Sequence, residues 1–88
     1  VFTSSSSLHG GNESTLLSMQ IPLFHMGMIL LGLPYSLPEL ATTTSGGTPY
    51  GASHVSAHNN GHTISDEEKK LCIAQGTRLG EISLKLNR

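Results

Sequence analysis

Residues 1–31 read VFTSSSSLHGGNESTLLSMQIPLFHMGMILL, and the order of patterns within them decides the fold. Val1–Thr3 carry β-branched and aromatic side chains, which are typical of the end of a strand. Residues 4–12 are small and polar, with several serines and glycines, so they predict a loop. From Glu13 to about Met26 the apolar residues recur at helical spacing. These patterns predict a strand, a loop and a helix, in that order.

The predicted helix is apolar over most of its surface. Four large apolar side chains share one face: Leu16, Met19, Leu23 and Phe24. Leu17 and Ile21 fill much of the remaining surface, so we expect the helix to be buried nearly all round. Pro22 is expected to kink it, because proline removes a backbone donor and crowds the preceding turn.

A second strand is predicted directly after this helix. Gly27 is expected to end the helix, and Met28–Leu31 is a continuous apolar run of the kind found in parallel strands covered on both faces. Strand, loop, helix and strand form a βαβ unit, whose crossover should be right-handed. Ile21–Leu33 is not expected to cross a membrane, since it is shorter than the roughly 20 residues required and is interrupted by proline and glycine. The predicted fold class is therefore α/β.

The second half of the chain predicts a long loop and a terminal helix. Pro34–His62 is rich in glycine and proline, and we expect an ordered loop, of the kind that is often functional, with short helical turns at most. Ser65–Glu68 forms a capping box, in which Ser65 caps the helix and Glu68 reaches back to it. Five apolar side chains are expected to form the inward stripe of this helix: Leu71, Ala74, Leu79, Ile82 and Leu86.

Composition suggests a surface that something else covers. Of the 88 residues, 12% are charged and 36% are hydrophobic, whereas about 25% charged residues are usual in soluble domains. The formal net charge of −1, with no basic stripe, argues against nucleic-acid binding. A single cysteine, Cys72, favours a reducing compartment such as the cytoplasm, and we expect that cysteine to be structural. No signal peptide is evident and the first residue is not methionine, so we expect the chain to derive from a longer one.

The first candidate site is the loop Ser4–Gly11. In doubly wound sheets, ligands bind outside the carboxyl ends of the strands, and the following helix directs its N-terminus at the same place. The alternative is an ordinary polar loop between a strand and a helix. His25 is a second candidate: its ring can donate a hydrogen bond to a ligand carbonyl, or it can be a buried or helix-end residue with its own partner.

Two further patterns admit both functional and structural interpretations. His54, His58 and His62 are spaced four apart and would bind a metal if they shared a helix face, but the glycine and asparagine between them favour a loop with three solvated histidines. Gly46–Gly51 combines glycines, a proline and a tyrosine. It can line a pocket, form a subunit contact, or be a surface turn.

Four motifs in order resemble the WrbA family of NAD(P)H:quinone oxidoreductases. They are SLHGGNEST at 7–15, HMGM at 25–28, GLPY at 32–35 and, above all, GGTPYGA at 46–52. The resemblance covers essentially the whole chain. It implies a flavodoxin-like parallel sheet of five strands, of which Val1–Thr3 would end the fourth and Met28–Leu31 form the fifth. Residues 1–88 would then be the C-terminal part of a single domain.

The resemblance also implies an activity and a site. The family binds FMN, uses NADH or NADPH to reduce quinones by two electrons, and assembles as tetramers. Its flavin-binding positions correspond here to Ser4, Ser5, Ser6, Ser7, Leu8, His9 and His25. No catalytic side chain and no metal ligand is implied, because the cofactor carries the chemistry. A non-enzymatic, flavodoxin-like electron carrier or interaction protein is the alternative function.

Two departures from the family pattern matter. Many members have a Ser-Thr-Gly-Thr loop where this chain has residues 4–8, and the second histidine of a His-His-Gly-Met motif is Met26 here. The family's phosphate-binding loop and the loop that covers the flavin would lie in the N-terminal half. We therefore expect this chain alone to bind FMN weakly and to be inactive.

Overall fold

The computed structural model describes residues 1–56 and 63–87 and shows an α/β arrangement, as predicted. Two strands and three helices follow one another along the chain. They are β1 (Phe2–Ser5), α1 (Asn12–His25), α2 (Glu39–Thr42), β2 (Ala52–Val55) and α3 (Asp66–Leu86). In the described part of the chain, no helix is long and apolar enough to cross a membrane.

The strands β1 and β2 form a parallel two-stranded sheet. Phe2 lies beside Ala52 and Ser5 beside Val55 at the two ends of the register. Because β2 lies within Pro34–His62, the prediction that this whole segment is a loop was wrong. The signal was hidden because two of the four strand residues are polar, and both are hydrogen-bonded to side-chain or backbone groups of neighbouring segments.

The strand predicted for Met28–Leu31 is not found. These residues belong to no strand, and the side chains of Met28 and Ile29 are exposed. An apolar run becomes a strand only where a neighbouring backbone completes its hydrogen bonds. Among the described residues of this region, a backbone hydrogen bond to another segment is found only just after this run, where the N–H of Leu33 donates to the carbonyl of Pro49 at 2.9 Å.

Helix α1 ends as the sequence predicts. Gly27 has a φ of +79°, in the left-handed region. Its N–H donates to the carbonyl of Phe24, and the N–H of Met28 donates to that of Leu23. This pair of bonds is a Schellman motif, which satisfies carbonyls that the last helical turn leaves open. The helix continues through Pro22.

The prediction that α1 is buried nearly all round was wrong. Leu16 is fully buried, whereas Leu17, Ile21 and Phe24 are exposed, Phe24 by 63%. The helix packs against β1 on one side, and no other described element covers the opposite side. This apolar exposure agrees with the low proportion of charged residues, which suggested a surface that something else covers.

The core lies between α3 and the segment around α2. Leu33, Leu40 and Leu71 form its buried cluster, with Leu37 and Ala74 packed against it. The capping box of α3 is confirmed, since the N–H of Glu68 donates to Ser65 and the N–H of Ser65 to Glu68.

The predicted stripe of α3 holds only in part. Leu71 is buried, and Ala74 and Ile82 are half-buried, but Leu79 and Leu86 are more than half exposed. The apolar side of the second half of the helix is therefore covered only in part by the described residues.

Candidate cofactor site

The loop between β1 and α1 occupies the carboxyl end of the sheet. Ser4 and Ser5 still belong to β1, whereas Ser6–His9 form the exposed part of the loop. The hydroxyl of Ser5 donates to the carbonyl of Ser7 at 2.8 Å, and the N–H of Gly10 donates to the same carbonyl at 3.1 Å. These bonds shape a compact turn beside the start of α1.

Helix α1 begins without a side-chain cap. Gly11 occupies the capping position, and the hydroxyl of Ser14 donates to the carbonyl of Gly11 at 3.1 Å and accepts from none of the first N–H groups. Asn12 is 92% buried. Among the described residues, its Oδ1 is the one buried side-chain nitrogen or oxygen atom without a hydrogen-bond partner. The first turn of α1 therefore has both open donors and an open acceptor.

A cavity of about 320 Å³ lies between this helix end and the segment 45–48. One wall consists of Leu8, His9 and the first turn of α1. The opposite wall is polar and is formed by Ser45, Gly47, Thr48 and Ser53. The volume is at the lower end of the range for small-molecule pockets, about 300–1,000 Å³. This cavity can take the polar edge of a ligand rather than a whole cofactor.

The Gly46–Gly51 motif thus contributes to a pocket wall, one of the interpretations that the sequence left open. Thr48 and Gly51 exchange two backbone hydrogen bonds, at 3.2 and 3.3 Å, which close a tight turn. The N–H of Gly47 donates to the hydroxyl of Ser53 at 2.7 Å, which joins the motif to β2.

A buried carboxylate holds this wall in place. Glu68 is 1% exposed, and its Oε2 accepts from the N–H of Gly46 at 2.9 Å and of Val55 at 2.8 Å. Its Oε1 accepts from the N–H of Ser65 at 2.8 Å and lies 3.1 Å from Nδ1 of His54. The capping box predicted only one of these four contacts, because the others join Glu68 to residues 13 to 22 positions away.

These contacts keep Glu68 ionised. Burial raises its pKa, but the hydrogen bonds from the backbone of Ser65 and Val55, the His54 ring and the backbone of Gly46 outweigh burial. Together they lower the pKa of Glu68 from 4.5 to about 2. The site therefore contains a fixed negative charge, which hydrogen bonds from N–H groups stabilise in place of water.

His25 lies at the other end of α1. The helix has 14 residues, so at about 1.5 Å per residue its two ends are roughly 20 Å apart. Within one chain a single helix therefore separates His25 from the serine loop, so the structure does not bring these two sets of predicted site residues together. His25 is exposed and free to meet another molecule.

The three histidines for which metal binding was the less favoured interpretation are only partly described. His54 turns Nδ1 toward Glu68, while His58 and His62 lie outside the described residues. Within residues 1–56 and 63–87, no group of three or more metal-binding side chains occurs. The metal hypothesis stays a prediction.

Cys72 is a free cysteine on α3. Desolvation by burial and the negative charge of Glu68 raise the pKa of the Cys72 thiol. A protonated thiol is a poor nucleophile. The Cys72 side chain is exposed, so its structural role stays a prediction.

Several curated proteins are similar in sequence to this chain along nearly its whole length. The chain is 47% identical over 90 residues to a protein named NAD(P)H dehydrogenase (quinone) of Syntrophobacter fumaroxidans, with all of this chain and 44% of the relative covered. It is 44% identical over 88 residues to one of the same name from Acidithiobacillus ferrooxidans, covering 98% of this chain and 44% of the relative. A third, from Methanosarcina mazei, is 39% identical, covering 98% of this chain and 42% of the relative.

No protein-family model matches the chain. The identities of 39–47% nevertheless extend over nearly every residue, which chance does not produce. The chain is therefore similar to these relatives over nearly all of its own residues, and it spans less than half of their length.

Proposed function

We propose that this chain is the C-terminal part of a single flavodoxin-like domain in an FMN-dependent NAD(P)H:quinone oxidoreductase. The relatives' name supplies the activity and the electron donor. The observation that supports FMN is the open end of α1, where Leu8, His9 and the uncapped first turn of the helix, including Asn12 with its unpaired Oδ1, line one cavity.

The polar groups of the cavity fit the edge of a flavin ring. That edge carries carbonyl oxygens and an N–H group, so it needs both donors and acceptors. The first turn of α1 offers backbone N–H groups, Ser45 and Ser53 offer hydroxyls from the other wall, and Oδ1 of Asn12 lacks a donor. When bound, FMN would supply the two-electron redox chemistry between the nicotinamide and the quinone. The chain's own residues bind the ring and exclude water from it.

We further propose that His25 acts on a flavin held by a different chain. A separation of about 20 Å places it beyond reach of a ring bound at the serine loop of its own chain. The exposed apolar surface around it, including Phe24 and Met26, favours association with other copies. The tetramer expected from the family resemblance provides such copies, and a cytoplasmic location suits a single unpaired cysteine.

The test is a joined protein, in which this chain replaces the matching segment of the Syntrophobacter fumaroxidans relative. We expect it to bind FMN and to catalyse oxidation of NADH or NADPH by benzoquinone. The relative itself serves as the positive control, and the joined protein freed of flavin serves as the blank. A folded joined protein that binds no flavin contradicts the proposal. Bound flavin without steady-state turnover would indicate the electron carrier instead.

A further inference from the structure

The carboxylate of Glu68 does more than cap a helix. A capping box needs one carboxylate oxygen, which here accepts from the N–H of Ser65. The second oxygen accepts from Gly46 and Val55, which belong to the cavity wall and to β2. One buried side chain therefore joins three separate segments of the chain.

The wall that Glu68 holds has little freedom to move. Gly46 is buried, and a Cβ built on it would overlap both the carbonyl oxygen of Ser53 and Oε2 of Glu68. The next residue, Gly47, donates to the hydroxyl of Ser53 at 2.7 Å. The hydroxyl of Ser45 lies 3.2 Å from that of Ser65, the cap of α3. Residues 45–47 are thus held by one hydrogen bond to Glu68, at Gly46, and by one bond on each side of it, at Ser45 and at Gly47.

Residues of this wall face the loop proposed to bind flavin. Ser45, Gly47 and Thr48 line the same cavity as Leu8 and His9. If the wall shifted, the space between it and the loop would change, and the hydrogen-bonding groups on both sides would no longer fit one ligand edge.

We propose that Glu68 is a positioning residue of the cofactor site, which fixes the wall 45–48 against the loop Ser4–His9. This inference rests on the proposed function, since it takes the ligand to be FMN. Glu68 does not touch the flavin. It determines the distance between the two sides of the cavity through the N–H of Gly46.

The experiment compares FMN affinity with stability in the joined protein. Glu68→Gln keeps the size of the side chain but puts an amide NH2 where N–H donors converge. Glu67→Gln makes the same change of charge at the neighbouring position of the first helical turn and is the matched control. Ser53→Ala removes the acceptor of Gly47 and tests the wall without touching the buried charge.

The dissociation constant of FMN is measured by fluorescence at a temperature at which each variant is fully folded. A loss of stability does not change the measured affinity under that condition, because the folded fraction stays near one. We expect Glu68→Gln and Ser53→Ala each to raise the dissociation constant roughly tenfold or more, as one unsatisfied buried hydrogen bond allows. Glu67→Gln should stay within about twofold, as for a surface change.

The outcomes distinguish failure of this inference from failure of the proposed function on which it rests. Unchanged FMN affinity in both Glu68→Gln and Ser53→Ala, with only their melting temperatures lowered, overturns the positioning role and leaves the proposed function intact. If Glu68→Gln does not fold, Glu68→Asp, which keeps the charge but shortens the reach to the N–H of Gly46, is measured in its place and decides in the same way. An unaltered joined protein that binds no flavin rejects the proposed function and this inference together.

Discussion

The two long helices begin in opposite ways, α1 at the cavity itself and α3 next to Ser45 of the cavity wall. At α3, Ser65 caps the helix and both oxygens of Glu68 are hydrogen-bonded. At α1, Gly11 offers no side chain to the first N–H groups, and Oδ1 of Asn12 is buried without a partner. The start of α3 is complete within the chain, whereas the start of α1 leaves polar groups for another molecule.

The difference has an energetic meaning. A buried polar atom without a partner costs about 1–3 kcal/mol, and native proteins keep few of them, mostly where function requires it. The start of α3 contributes stability that the small core of this chain needs. The start of α1 gives up stability, which a bound ligand can restore.

The largest expected effect is at the complete helix start. Replacing Glu68 by alanine leaves the N–H groups of Gly46, Val55 and Ser65 without their acceptor. Because the site is buried, we expect the free energy of unfolding to fall by about 3 kcal/mol or more. Urea unfolding of the flavin-free joined protein measures it.

Glu67→Ala is the control for this substitution. It removes a charge from the same helical turn, and it should lower the free energy of unfolding by less than about 1 kcal/mol. Equal effects of the two substitutions would show that Glu68 acts only through the helix dipole, and the contrast between the two helix starts would disappear.

The same carboxylate gives the stability a pH dependence. Hydrogen bonding lowers the pKa of Glu68 from 4.5 to about 2 in the folded chain. Its contribution to stability is therefore fully present above about pH 4.5, declines as the pH falls further, and is lost below about pH 2.

Unfolding free energies of the flavin-free joined protein between pH 2 and pH 6 measure this contribution. The difference between the unaltered protein and Glu68→Gln should shrink steadily below pH 4.5. Glu67→Gln should keep the acid decline, because it leaves the Glu68 contacts in place. A difference that is constant across this range would contradict the ionised, hydrogen-bonded state of Glu68.

How far the sequence predicts this fold differs between the two helices. The capping box and Gly27 are local signals, in which residues a few positions apart bond to each other, and both predictions are confirmed. The bounds of α1 were predicted to within one residue for the same reason. Local patterns suffice where the bonding partners are close along the chain.

The sheet and the cavity could not be predicted in this way. Strand β2 contains Ser53 and His54, whose partners Gly47 and Glu68 become neighbours only after folding. The apolar run Met28–Leu31 looked more like a strand than β2 does, and the strand predicted there was wrong. The role of Glu68 at Gly46 also escaped prediction, since nothing in the spacing relates residues 22 positions apart.

The smallest expected effect on stability is at the open helix start. Asn12→Ala removes an unpaired buried acceptor, which relieves a desolvation cost while it leaves a small gap, so the free energy of unfolding should change by less than about 1 kcal/mol. FMN affinity of the joined protein should nevertheless fall roughly tenfold, because the ligand loses the hydrogen bond that it donates to Oδ1 of Asn12. Ser18→Ala, further along α1 and outside the cavity lining, is the control for the helix itself, since the Ser18 side chain is exposed. If Asn12→Ala destabilises the protein by several kcal/mol and leaves FMN affinity unchanged, Asn12 has a partner within the protein. The start of α1 would then be as complete as that of α3, and the argument for a ligand there would fail.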